Sequence, residues 1–238
     1  MTANGFGFTA DEMMAVEAAR RLRDGTVCFV GIGLPSVATN LARRTHAPRC
    51  VLIYESGTIG AKPTELPLSI GDGELAETAD AVVSVPEVFA YWLQGGRIDV
   101  SFLGAAQIDR HGNLNSTVIG DYASPTVRLP GAGGAPEIAL GVKDVFVILR
   151  HSPRAFVELL DFTTTLGDNV RVVITDLGTL ERRDGELTLV TVHPGVTVED
   201  AVAATGWKLR VADDVHETAL PTDEELTALR ALRTKGHA

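Results

Sequence analysis

The segment Glu55-Ser56-Gly57 places a carboxylate, a hydroxyl and a glycine directly after the apolar run 51–54. An apolar run of this length predicts a buried strand. Ligands of open α/β sheets bind beyond the carboxyl ends of the strands, so Glu55 would be held at the floor of a cleft by a rigid element. A glycine lets the chain turn close to a ligand. Position alone equally fits a glutamate that is simply the first solvated residue after a strand.

A second candidate is Gly31-Ile32-Gly33, which follows a predicted strand and precedes a predicted helix. Together with an acidic residue 24 positions beyond Gly31, it invites a dinucleotide-binding interpretation. Two features oppose that interpretation. Ser36 stands where the third glycine of the fingerprint is expected, and Pro35 removes a backbone N–H from the loop that would hold a pyrophosphate. A plain tight turn before a helix is the simpler explanation.

A third candidate is the glycine-rich run that contains Gly131, Gly133 and Gly134. It lacks the Lys-Ser/Thr ending of a P-loop, which argues against nucleoside triphosphate binding. Its backbone N–H groups could still bind an oxyanion, although such a run is more often a flexible turn. The amide of Asn115 follows a predicted hairpin turn, where amide side chains usually satisfy nearby backbone groups.

The elements that must position these residues follow an α/β pattern. A capping box from Thr9 to Glu12 opens the first helix, and Thr222 to Glu225 opens the last. A strand at 26–30, a helix at 36–44 and a strand at 50–54 form a βαβ unit. Further strands are predicted at 81–85, 99–103, 144–149, 170–175 and 187–192, the last of them after a turn at Asp184-Gly185. A helix is predicted after Pro86, and a hairpin over 104–120 that turns at 109–112. No interior linker interrupts the pattern, so residues 1–238 are predicted to form one domain.

Composition excludes several classes of protein. The chain has 238 residues, 45% of them apolar, and a net charge of −10, which argues against a nucleic-acid or anionic-membrane partner. No apolar run is long enough to span a membrane, and the N-terminal residues lack the pattern of a signal peptide, so a cytoplasmic protein is expected. The two cysteines, Cys28 and Cys50, fall in predicted strands and are expected to be buried thiols. The six histidines are scattered, and no metal site is expected.

Taken together, the motifs resemble the β subunit of family I CoA-transferases, and most nearly the glutaconate CoA-transferase branch. The resemblance covers about residues 9 to 210 and rests on five segments in order: 31–35 (Gly-Ile-Gly-Leu-Pro), 55–57 (Glu-Ser-Gly), 104–109 (Gly-Ala-Ala-Gln-Ile-Asp), 112–116 (Gly-Asn-Leu-Asn-Ser) and 131–135 (Gly-Ala-Gly-Gly-Ala). It implies a three-layer α/β/α subunit with an open, mostly parallel sheet and an added β-hairpin.

The resemblance also implies a site. Glu55 would be the covalent nucleophile, and Gly133 and Gly134 would stabilise an oxyanion beside it. Ser56 and Gly57 would contact substrate, and Gly31, Gly33, Gln107 and Asn115 are candidates for the CoA and substrate loops. Coenzyme A, carried as acyl-CoA, would be the only cofactor, with no metal. The partner would be a homologous α subunit in an α2β2 or higher assembly, and the substrates an acyl-CoA and a small carboxylic acid like glutaconate or 3-oxoadipate.

Three alternatives remain open at this point. An acyl-CoA hydrolase or ring-cleaving hydrolase of the same fold would differ in its access to water, although such relatives lack the glutamate. A non-catalytic CoA-binding subunit would need no nucleophile. A nicotinamide oxidoreductase would bind NADH without any partner.

Overall fold

The computed structural model describes residues 6–232. The expectation of no signal peptide rests partly on residues 1–5, which lie outside that range. The described chain divides into two compact units. Among the described residues, the first unit is formed by 6–102, Gly141–Lys143 and 220–232, and the second by Leu103–Leu140 and Asp144–Ala219. The single domain expected from the sequence stays a prediction, and each unit is described by itself.

Helices separate most of the strands up to about residue 100, and longer runs of consecutive strands follow. Within residues 6–232 the strands are β1 Val27–Phe29, β2 Val51–Ile53, β3 Thr58–Ile59, β4 Ala81–Val82, β5 Val100–Leu103, β6 Gln107–Ile108, β7 Leu114–Asn115, β8 Val118–Gly120, β9 Pro125–Arg128, β10 Asp144–Ile148, β11 Val170–Ile174, β12 Gly178–Arg183, β13 Glu186–Val192 and β14 Arg210–Glu217. The α-helices are α1 Ala10–Arg20, α2 Leu34–Arg44, α3 Gly73–Glu77, α4 Val85–Glu87, α5 Ala135–Gly141, α6 Val198–Ala203 and α7 Asp223–Arg230.

In the first unit the strands lie in the order β5-β1-β2-β3-β4. β1 pairs in parallel with both β2 and β5, with Val27 opposite Val51 and Phe29 opposite Ile53. β3 and β4 extend this sheet by antiparallel pairing. The predicted βαβ unit of β1, α2 and β2 is therefore confirmed. It sets the carboxyl end of β2 directly before Glu55.

Three helices of the first unit pack together: α1, α2 and α7. The predicted capping boxes at the starts of α1 and α7 are both present. Two ion pairs join α1 to α7, from Arg20 to Glu225 and from Arg230 to the capping residue Glu12, each at 2.7 Å. The two methionines of α1, Met13 and Met14, are fully buried. Burial of such a side chain stabilises the fold by about 1.5–3 kcal/mol.

In the second unit β10 and β11 pair in parallel, as do β13 and β14, while β12 pairs antiparallel with both β11 and β13. The predicted turn at Asp184-Gly185 joins β12 to β13, with both residues at positive φ. The predicted hairpin is also confirmed, as β6 paired with β7. A second hairpin, β8 with β9, was not predicted.

Three further elements differ from the sequence expectation. The strand predicted over 81–85 is only β4, because the chain enters α4 at Val85. The helix expected after Pro86 continues from α4 as a π-helix, Val88–Leu93. β14 was missed because most of its side chains are exposed and many are charged, a composition typical of a strand at a sheet edge.

The two cysteines are free and buried, as expected. Burial raises the pKa of the Cys28 thiol well above its usual value. Among the helices of residues 6–232, none is long and apolar enough to cross a membrane.

Candidate active site

Glu55 lies in a tight turn between β2 and β3. The N–H of Gly57 donates to the carbonyl of Tyr54, and the N–H of Tyr54 donates to the carbonyl of Thr58, both at 3.0 Å. A three-residue hairpin loop that ends in a glycine at positive φ is a common connection between antiparallel strands, and Gly57 has a φ of 107°. Glu55 and Ser56 therefore occupy the tip of a hydrogen-bonded turn rather than a loose loop.

Backbone packing explains why Gly57 must be glycine. A Cβ at this position would lie 2.0 Å from the carbonyl oxygen of Val83, which follows β4. The two segments are held together by a hydrogen bond from the Val83 N–H to the Gly57 carbonyl at 2.9 Å. Close approach to backbone, in addition to the positive φ, thus requires the glycine. The predicted contact of Gly57 with substrate stays a prediction.

Tyr54 anchors the turn to α2. Its ring is fully buried, and its hydroxyl lies 3.3 Å from Oγ of Ser36 in the first turn of that helix. The side-chain amide of Asn40 donates to the Ser36 carbonyl at 2.9 Å. Burial raises the pKa of the Tyr54 phenol, so the group stays neutral and hydrogen-bonded. The sequence predicted Tyr54 only as the last residue of an apolar strand, and nothing in its spacing indicated these partners.

The loop that contains Gly31 and Gly33 leads into the same helix. Gly33 is the N-cap of α2, with a φ of 83° and no side-chain cap, and Pro35 lies in the first turn. A small cleft of about 140 Å³ is lined by Gly33, Ser36 and neighbouring residues. Ser36 follows the Gly31–Gly33 loop and Tyr54 precedes Glu55, so the hydrogen bond between Ser36 and Tyr54 links the loop to the Glu55 turn.

The Glu55 carboxylate is half-buried and available for reaction. Within residues 6–232 it accepts no hydrogen bond and forms no ion pair, and the hydroxyls of Ser56 and Thr58 also have no partner. Two cations of this unit are engaged with other groups: Lys62 pairs with Asp80, and Arg43 donates to the Ala61 carbonyl at 3.3 Å. A carboxylate is a nucleophile that needs no general base, so this arrangement can attack a carbonyl carbon.

In the second unit, the glycine-rich loop offers free backbone donors. Gly131 is held at its base, since its N–H donates to the Ser116 carbonyl and its carbonyl accepts from the Ser116 hydroxyl, both at 2.9 Å. Gly133 has a φ of 52°, and a Cβ there would meet no atom within 4 Å. Among the described residues, the N–H groups of Gly133 and Gly134 donate to no acceptor. Such unpaired N–H groups are what an oxyanion site requires.

Gln107 and Asn115 are placed differently, inside a buried network of the second unit. The Asn115 amide nitrogen donates to Oε1 of Gln107 and to the Val118 carbonyl, both at 2.7 Å. The Gln107 amide nitrogen donates to the Asp161 carboxylate at 2.9 Å, and that carboxylate also accepts from the Gly120 N–H. These contacts hold the two hairpins, β6–β7 and β8–β9. A substrate contact of either amide stays a prediction, and the part played by Asp161 carried no signal in the sequence.

Metal ligands do not cluster in the described part of the chain. Among residues 6–232, no group of three or more His, Cys, Asp or Glu could hold a metal ion.

Comparison with known proteins places this chain in a family. Residues 11–204 match the family model for coenzyme A transferases, which covers most of the chain. The chain is 59% identical to a subunit of the 3-oxoadipate CoA-transferase of Pseudomonas knackmussii, over 96% of this chain and 94% of that protein. It is 32% identical to a subunit of the glutaconate CoA-transferase of Acidaminococcus fermentans, over 88% and 86%. The crystal structure of the latter organism's glutaconate coenzyme A-transferase has a TM-score of 0.90 at 30% identity, covering 99% of this chain and 98% of that one.

The chain therefore belongs to the coenzyme A transferase family, and its predicted assignment to the β subunits of family I CoA-transferases is confirmed. The predicted α/β fold class and enzyme class are confirmed with it. The decarboxylase AibA/AibB is also similar in structure, with a TM-score of 0.87 at 28% identity, covering 96% of both chains.

Proposed function

We propose that this chain is the nucleophile-bearing subunit of a cytoplasmic CoA-transferase, and that Glu55 carries CoA between two carboxylic acids as a glutamyl-CoA thioester. The observation that supports it most directly is the Glu55 carboxylate, half-buried at the tip of a rigid turn and unpartnered within the described residues. Membership of the CoA-transferase family supplies the reaction class.

The reaction is balanced without a metal or an external base. The Glu55 carboxylate attacks the thioester carbon of an acyl-CoA, which gives a mixed anhydride and releases CoA thiolate. The thiolate then attacks the glutamyl carbonyl, which releases the first acid as its carboxylate and leaves glutamyl-CoA. The second acid reverses both steps: its carboxylate attacks glutamyl-CoA, and the released thiolate attacks the new acyl carbonyl. The acid departs as its CoA thioester, and the Glu55 carboxylate is regenerated.

Each attack passes through a tetrahedral oxyanion. We assign its stabilisation to the unpaired N–H groups of Gly133 and Gly134, as the family resemblance implies. One such donor typically contributes about 10²–10³ in rate. The variant Gly134→Pro, which deletes one N–H, should therefore slow glutamyl-CoA formation about 100-fold. An unchanged rate would remove Gly134 from this role.

The acceptor acid is assigned to the 3-oxoadipate class, since the relative with 59% identity is part of a 3-oxoadipate CoA-transferase. That relative and others are named as subunits, so a homologous α subunit is proposed as partner, in an α2β2 or larger assembly. The purified single chain should then show no turnover. Steady transfer by this chain alone would contradict the need for a partner.

The experiment that tests the proposal is intact-mass spectrometry of this chain, co-purified with its α subunit, after addition of succinyl-CoA. The expected result is a mass gain of one CoA minus water, lost in Glu55→Gln. Glu77→Gln, a change at an exposed glutamate of α3, is the matched control and should keep the adduct. Release of free CoA without any adduct would indicate a hydrolase, and no adduct with no turnover would leave Glu55 as a solvated strand end.

A further inference from the structure

A cleft opens beside the Glu55 turn, within the first unit. Its volume is about 230 Å³, and its lining includes Ser56, Thr58, Ile70, Asp72, Ala76 and Val82. Two of these residues flank Gly57 in the turn itself, while Ile70, Asp72 and Ala76 come from the segment around α3. The cleft therefore adjoins the residue that carries the proposed chemistry.

Two hydroxyls at this cleft lack any partner. Oγ of Ser56 and Oγ1 of Thr58 are covered from solvent, and neither has a hydrogen-bond partner among the described residues. Thr58 is only 4% exposed. A buried hydroxyl without a partner is unfavourable, and its presence calls for an explanation. A change of side-chain rotamer would turn either hydroxyl toward a group that enters the cleft.

Ser56 and Thr58 differ from the other buried, unpartnered hydroxyls in that they line this cleft. Within residues 6–232 the remaining buried side chains of this kind are Ser101, Thr165, Thr188 and Thr191. None of those four lines the cleft. The two that do are one and three residues from Glu55 along the chain.

The rest of the lining indicates which part of an acid would fit. Ile70 and Val82 present exposed apolar surface, which suits methylene groups. Asp72 supplies a carboxylate that caps α3 by accepting from the Glu74 N–H at 3.2 Å. A second negative charge in the cleft would be repelled by Asp72, so the cleft suits the part of a dicarboxylic acid next to Glu55, and the distal carboxylate would lie outside it. A neutral oxygen acceptor between methylene groups matches the walls and the two hydroxyls.

We propose that the hydroxyls of Ser56 and Thr58 bind the 3-oxo oxygen of the acyl group at Glu55, and so select 3-oxo acids over acids that lack this group. The inference rests on the proposed function. It assigns Ser56 and Thr58 to substrate specificity, with the keto oxygen as the acceptor of their hydrogen bonds.

The test compares two acceptors of the same chain length, 3-oxoadipate and adipate, in the complex co-purified with its α subunit. The measured quantity is kcat/KM for 3-oxoadipate divided by kcat/KM for adipate, with succinyl-CoA as donor. Thr58→Val removes the hydroxyl and keeps the side-chain shape. Ser56→Ala removes the hydroxyl at the turn. Each variant should lower the ratio about tenfold or more, because hydrogen-bonding sites discriminate strongly against an analogue without the bonded group.

Thr188→Val is the matched control. It makes the same change at a buried, unpartnered hydroxyl of β13, outside the cleft, and should leave the ratio at the wild-type value. An unchanged ratio in both Ser56→Ala and Thr58→Val, while succinyl-CoA still forms the glutamyl-CoA adduct, would overturn this inference and leave the proposed function intact. Absence of the adduct in the wild type would instead overturn both. If Thr58→Val failed to fold, Ser56→Ala alone would decide the outcome.

Discussion

Two polar clusters of this protein differ in how completely the chain satisfies them. In the second unit, the side chains of Gln107, Asn115 and Asp161 hydrogen-bond one another and the surrounding backbone. In the first unit, the carboxylate of Glu55 and the hydroxyls of Ser56 and Thr58 have no partner among the described residues. Fully partnered groups stabilise architecture, whereas groups held without partners on a rigid turn are available to a ligand.

The largest expected effect tests whether the unpartnered cluster really lies on a rigid support. Gly57→Ala should lower the free energy of unfolding by about 3 kcal/mol or more, because the new Cβ would lie 2.0 Å from the Val83 oxygen at a positive φ. Urea unfolding at fixed protein concentration measures the change. Gly185→Ala is the control: it also has a positive φ but open space around it, and should cost about 1 kcal/mol. Equal losses of unfolding free energy in the two variants would show that the Glu55 turn can shift to accommodate the new Cβ.

The next effect concerns a histidine that is held neutral by its surroundings. His151 is buried and stacked on Phe156 at 3.7 Å, and its ring nitrogens lie 3.3 Å from the Thr175 hydroxyl and 2.9 Å from the Thr205 hydroxyl. Burial lowers the pKa of His151 to about 4, although the negative charge of Asp176 acts in the other direction and raises it. The unfolded chain, with a histidine pKa near 6.5, therefore binds a proton at a higher pH than the folded chain does.

Stability should consequently fall as the pH drops from about 6.5 to 4, by about 3 kcal/mol in total from this residue. Unfolding free energies measured across that range should decline less steeply in His151→Gln than in the wild type. His216→Gln, at an exposed histidine of β14, should leave the slope as it is. A wild-type slope in His151→Gln would mean that the imidazole binds its proton equally well in the folded and unfolded protein.

A third effect distinguishes a structural role of the buried Asn115 amide from a role in contacting substrate. Asn115→Ala removes two donated and two accepted hydrogen bonds and should destabilise the protein by about 3 kcal/mol. If Asn115 instead served mainly to contact substrate, the variant would raise KM at nearly unchanged stability. Thermal unfolding and kinetics of the same preparation distinguish the two results.

Local sequence signals predicted much of this structure. The capping boxes at Thr9 and Thr222 and the Asp184-Gly185 turn are decided by residues close in sequence, and each is present. The candidate nucleophile could be located because an apolar strand ends at a carboxylate. The Tyr54–Ser36 contact and the Asp161 network could not, because they join residues 18 and 54 positions apart whose types are common anywhere on a chain. Long-range polar pairing leaves no periodicity to detect.

The smallest expected effect is the most direct test of the comparison, since it asks whether the lone hydroxyls are truly without partners. Thr58→Val and Thr188→Val each remove a buried hydroxyl for which the described chain provides no hydrogen bond. No interaction is lost, and an unsatisfied polar atom is replaced by a methyl group of similar shape. The free energy of unfolding should therefore stay within about 0.5 kcal/mol of the wild type or rise slightly. A loss above about 1 kcal/mol in Thr58→Val alone would mean that its hydroxyl is already hydrogen-bonded in the free protein. The cleft would then have no unpartnered donor at Thr58 to offer a substrate.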